Sequence, residues 1–122
     1  MDIKKTKLYY EQINSSDICD CAYCKNYVRE IKSTYPKLAK YLGSLGVDIE
    51  KPFETMPLEL DEKTGRIEYI SAQYIVYGGT DDFSKKVIGC VNVDIAETHP
   101  PTQINEAHFV IEIYPISLKW VV

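Results

Sequence analysis

The stretch Asp20–Gly46, DCAYCKNYVREIKSTYPKLAKYLGSLG, decides how the rest of the chain is read. Its apolar residues fall at Cys24, Val28, Ile31, Tyr35, Leu38, Leu42 and Leu45. Gaps of four and three alternate, which draws one continuous stripe down one side of a helix. Asp20 is the expected N-cap, because its carboxylate can accept from the free amides of the first turn. Cys19 then precedes the cap and Cys24 takes the position of a hydrophobic staple. Pro36 removes one amide and clashes with the turn before it, so the helix should break or restart there. Ser33 and Thr34 are the expected caps of the second piece. The stripe keeps its phase across the break, so both pieces should lie on one surface. Gly46 is the expected stop.

Beyond Pro52 the apolar period changes to two, the spacing of strands. Met56, Leu58 and Leu60 alternate with polar neighbours, and Pro57 marks that strand as an edge. Arg66–Gly78 is expected to turn Ile70, Ala72, Tyr74 and Val76 toward the helix. Lys85–Ala96 should do the same with Val87, Val91, Val93 and Ile95, and Glu106–Tyr114 with Ala107, Phe109, Ile111 and Ile113. Pro115 interrupts, and Ile116–Val122 closes the chain with Ile116, Leu118 and Trp120. On the other side, Lys7–Ile13 (KLYYEQI) reads as a short first strand or a segment packed across the helix. The expectation is a single α+β domain over residues 1–122. In it, one Pro-broken N-terminal helix covers one face of a four- to five-stranded antiparallel meander.

At 122 residues, with 45% hydrophobic and 26% charged, the chain can bury a core without disulfides or metals. Its apolar runs are too short to span a membrane, and MDIKKTKLYY lacks a signal core, so a soluble cytoplasmic protein is expected. The net charge of −4 argues against nucleic acid as a partner. That charge is uneven: Cys21–Gly46 holds five bases and one acid, +4, which leaves −8 for the remainder. A solvated basic face and a dock for an acidic partner both fit.

Two groups of residues bear on chemistry. The first is Cys19-x-Cys21-x-x-Cys24. Free amides at a helix start stabilise thiolates, which bind zinc and attack disulfides. For zinc, His99 is the available fourth ligand, since alternation turns Cys90 and His108 away from the helix. A redox pair of the thioredoxin kind would follow a buried strand, whereas this one follows a polar turn. Simple packing of Cys24 in the core is the third reading. The second group is the sheet face turned away from the helix. Ten tyrosines against three phenylalanines and one tryptophan suit a surface both wet and adhesive. Tyr69, Gln73, Tyr77, Asn92, Asp94, His108 and Glu112 are its candidate binding residues. An Asp94–His108–Glu112 grouping would also suit acid–base work, although a solvated strand face carries such residues without any function. Gly78-Gly79 is followed by no lysine and no helix, so it is not a phosphate loop.

Cys21-x-x-Cys24-Lys25-Asn26-Tyr27, Tyr35-Pro36, Leu45-Gly46-Val47-Asp48, Lys51-Pro52 and Glu54 together resemble the pattern of a group of small bacterial proteins of unknown function. The resemblance covers roughly the first half of the chain. It implies a bacterial, intracellular origin and no activity. The sequence is therefore read as a non-enzymatic module that binds a protein or small ligand through its Tyr-rich outer face. The alternative is a zinc-binding or redox site at the three cysteines. The C-terminal strand, without a protective proline, is the expected edge for a homodimer.

Overall fold

The helical stripe folds as two helices hinged at Tyr35: α2 (Ala22–Thr34) and α3 (Pro36–Ser44), with α1 (Ile3–Gln12) ahead of them. This computed structural model describes residues 1–122, the side chain of Ser15 excepted. Pro36 opens α3, where its missing amide costs no hydrogen bond. Tyr35, rather than Ser33 or Thr34, is the residue between the helices, and Cys21 rather than Asp20 caps α2. Lys7–Ile13, expected as a short strand or a segment packed across the helix, is for the most part helical. Asp2 caps α1 by accepting from the Lys5 amide at 3.0 Å, and Thr6 and Tyr10, four apart, share its buried side.

Six strands follow: β1 (Glu54–Pro57), β2 (Arg66–Tyr77), β3 (Lys86–Ile88), β4 (Val91–Ile95), β5 (His108–Tyr114) and β6 (Ile116–Lys119). All pair antiparallel, so the α+β class is as expected. The pairing departs from sequence order, running β1-β2-β5-β4-β3, with β6 also on β2. The reason is length. β2 has 12 residues, and β5 and β6 lie end to end along its two halves. The segment expected as one strand, Lys85–Ala96, instead folds back at Gly89–Cys90 into the β3–β4 hairpin. Pro57 does sit on an edge strand, β1.

Ile31, Leu38, Leu42 and Leu45 are buried against the sheet together with Val91, Val93, Ile111 and Ile113, as the stripe requires. The faces change midway along β2, however. Ile67 and Tyr69 are in the helix-side core opposite β6, whereas Ala72, Tyr74 and Val76 take that role opposite β5. The β1 pairing is irregular over the same span, between Thr55 and Pro57. An irregularity of this kind reverses the side-chain phase. It leaves Ile70 56% exposed, where burial was expected, and carries Tyr69 to 1% under the helices. Val87, also expected inside, is exposed on the hairpin.

The second face of the sheet is not open either. Ile75, Tyr77, Ala96 and Val110 form a smaller core there, joined by Tyr9, Phe53 and Ile104. The free edges at the end of β2 and along β6 are met by groups of the helical segment. Along β2, the Tyr77 carbonyl accepts from the Asp2 amide, the Tyr77 amide donates to Thr6 Oγ1, and the Ile75 carbonyl accepts from Tyr10 Oη. Gly46 and Gly78 let α1 come this close. Both have positive φ, and a Cβ on either would lie 2.6 Å from backbone, at Ile3 O and Asp2 N respectively. Along β6, the Ser117 amide and carbonyl both bond to Tyr35 Oη. Asn26 does the same for the Lys119 carbonyl and the Val121 amide. The C-terminal strand therefore lacks the open edge expected for a homodimer.

Candidate functional site

The turn from Ile18 to Asp20 leads into α2, and Cys21 is the last residue before its first turn, with extended backbone and φ of −65°. One turn later Cys24 points back at the same region, because side chains three and four apart share a helix face. The Sγ atoms of Cys19, Cys21 and Cys24 lie within 4.8 Å of one another. Cys19 and Cys21 are exposed and Cys24 is half-buried, 3.5 Å from the hydroxyl of Thr55 on β1.

The three thiols are not equivalent. The Cys24 amide lies close enough to the Cys21 sulfur to lower its pKa, although the contact falls short of hydrogen-bond geometry. Burial acts the opposite way on Cys24 and pushes its thiol up to about 12. The cluster thus combines an exposed thiol that ionises readily with a sheltered one that resists ionisation.

Cys19 and Cys24 also open onto a cleft of ≈ 500 Å³. Ile18, Val28 and Val122 give it apolar wall, while Lys25, Arg29, Asp20 and Glu50 bring charge to its rim. Val122 is held there because Asn26 grips the chain one residue earlier. Glu50 meets Lys32 at 3.9 Å across solvent. Among the described residues, Lys25, Arg29 and Asp20 have no ion-pair partner. No family model, curated protein or solved structure matches this chain. The reading of the site therefore rests on its geometry.

The expected fourth metal ligand does not join the cluster. His99 lies in the link after β4, exposed, with Nδ1 donating to the Pro100 carbonyl at 2.8 Å. Among the described residues, the three cysteines alone form the metal-capable group.

The second candidate surface is taken apart by the fold. Tyr69 is on the helix side, where its hydroxyl donates to the Tyr23 carbonyl at 2.6 Å. Tyr77 is buried against Tyr9 and faces His108 at 6.5 Å between ring centres. Gln73 is fully buried and donates to the Thr98 carbonyl, with its Oε1 unpartnered. Asn92 donates to the Tyr114 carbonyl, and Asp94 pairs with Lys85 at 3.7 Å. His108 donates from Nδ1 to the Glu106 carbonyl, which leaves Nε2 to accept from the Thr102 hydroxyl in the neutral ring. Glu112 stands between Gln73 and Asp94 in register. It is four residues along the strand from His108, about 13 Å at strand rise, so an acid–base grouping of Asp94, His108 and Glu112 does not converge.

The tyrosines serve the core instead. Tyr27 and Tyr74 are fully buried, bonded to each other, and Tyr74 also donates to the Ile49 carbonyl at 2.7 Å. Sequence reasoning missed these partners, and it missed Asn26 as an edge clamp. A polar residue beside an apolar stripe gives the only local hint of that role.

Proposed function

We propose that the protein is a small metal-binding module in which Cys19, Cys21 and Cys24 hold one zinc ion as thiolates. The observation that carries this reading is the convergence of three sulfurs to within 4.8 Å. Tetrahedral zinc with bonds of about 2.3 Å sets sulfurs about 3.8 Å apart, so a closure of about 1 Å at most brings the three sulfurs to ligating distances. Three exposed or half-buried free thiols belong in a reducing compartment such as the cytoplasm. Zinc binding releases the thiol protons, and the lowered pKa of Cys21 eases that release. A third cysteine has no role in a simple dithiol, which favours metal. The test is elemental analysis of protein purified without chelator, paired with thiol titration. One zinc per chain, lost in the Cys19→Ser/Cys21→Ser/Cys24→Ser variant, is the expected result. Four freely titrating thiols with no metal before or after zinc addition would sink the reading.

A second reading has its own support. Cys21 at the helix cap and Cys24 one turn on, sheltered by Thr55, also form the arrangement of a dithiol that cycles with a disulfide. Mass spectrometry combined with metal analysis separates the two, since a Cys21–Cys24 link that cycles reversibly in protein that binds no zinc when reduced belongs to redox chemistry.

A further inference from the structure

Among the described residues no fourth ligand joins the three sulfurs, and the site sits on the wall of a cleft. Cys19 and Cys24 belong to that wall. His99 and Cys90 are placed elsewhere in the fold, His99 in the link after β4 and Cys90 in the β3–β4 turn. At ≈ 500 Å³ the cleft falls within the range of small-ligand sites. Lys25 and Arg29 lie four apart on α2 and so present both cations to one side of the cleft. Asp20 and Glu50 bring the opposite charge. A cleft carrying both signs, an apolar wall and an unfilled position on a soft metal centre describes its occupant chemically.

We propose that the cleft receives a small zwitterionic thiol, an amino acid or short peptide, whose sulfur completes the coordination of the metal held by Cys19, Cys21 and Cys24. This rests on the zinc reading above. The carboxylate of the ligand meets Lys25 and Arg29, and its ammonium meets Asp20 or Glu50. A thiolate is preferred over a carboxylate at the metal because the three protein ligands are already soft. Charge supports the same choice. A divalent ion with four thiolates carries two negative charges, which Lys25 and Arg29 offset. The step is ligand exchange: a metal–sulfur bond forms, the thiol proton goes to solvent, and a water leaves the fourth position. No electron moves.

Cobalt(II)-loaded protein provides the test, because its visible and charge-transfer absorption reports the ligand set directly. L-cysteine and reduced glutathione are titrated against S-methyl-L-cysteine and 2-mercaptoethanol. The expected result is a saturable rise in sulfur-to-cobalt absorption with the first two and none with the thioether. Their affinity should fall about tenfold or more in Lys25→Ala/Arg29→Ala, the loss expected when charge-assisted bonds are removed, while 2-mercaptoethanol is unaffected by the change. Cobalt that binds but keeps an unchanged spectrum overturns this proposal and leaves the metal site standing. So does equal affinity for 2-mercaptoethanol, or cobalt stripped into the ultrafiltrate. Failure to bind any cobalt overturns both.

Discussion

The cysteine corner at the start of α2 and the polar row on the second sheet face look alike in sequence, since each gathers several chemically capable side chains. The fold treats them oppositely. On the sheet face, His108 has both ring nitrogens occupied, Asp94 is paired with Lys85, and Asn92 and Gln73 are tied to backbone carbonyls. At the corner, three sulfurs converge and two cations and an acid beside them have no ion-pair partner among the described residues. Polar groups that the chain itself satisfies hold structure. Groups left unsatisfied around a cleft are available for something else.

Substitutions sharpen that contrast. The largest loss of stability should come from neither region but from the stripe that both depend on. Leu42→Ala is expected to cost about 2–5 kcal/mol in denaturant unfolding, the usual range for emptying a fully buried aliphatic site. A loss under about 1 kcal/mol would mean α3 is not seated on the sheet. Asn26→Ala comes next, because it strands a carbonyl and an amide of the C-terminal segment. About 1–3 kcal/mol is expected, with faster amide exchange at Val121, and protection unchanged there would contradict the clamp.

On the sheet face, Gln73→Met removes both a buried oxygen that has no partner and the donor to the exposed Thr98 carbonyl, so the two effects oppose and the net change should stay within about 1 kcal/mol of zero. A loss of several kcal/mol would show that the Gln73 amide contributes more than its single bond to Thr98. In the corner, the smallest effect is one of rate. Iodoacetamide should modify Cys21 at a lower pH than an ordinary thiol, while Cys24 stays slow until the pH approaches 12. The sign for stability follows from the same groups. Folded Cys24 keeps its proton above the pH at which the unfolded thiol loses it. Its contribution is therefore intact below about 9 and is lost as pH rises toward 12. Equal alkylation rates for Cys21 and Cys24 at neutral pH would remove the distinction between them.

The helical stripe and its break at Pro36 were legible because a period of 3.6 and a missing amide are local properties of the chain. The inward side of β5 was legible for the same reason, with Phe109, Ile111 and Ile113 buried, although Ala107, expected inside, is exposed and Val110 is buried on the second face. What escaped depends on partners far away in sequence. The reversal of faces near Ile70 matches the point where β2 changes neighbour from β6 to β5, and nothing local to Tyr69 or Ile70 announces it. α1 stayed open between a strand and a packed segment because KLYYEQI follows neither apolar period cleanly, and Thr6 and Tyr10 find the edge of β2 only after folding. At the site, the spacing of Cys19, Cys21 and Cys24 was readable. The cleft was not, since Glu50 and Val122 reach it from other parts of the chain.

X-ray absorption at the zinc edge, on protein purified without chelator, tests the central claim most directly. Three or four sulfur neighbours at about 2.3 Å around one zinc per chain are the expected result. A shell of nitrogen and oxygen alone, or protein free of zinc with all its thiols titrating, would contradict it.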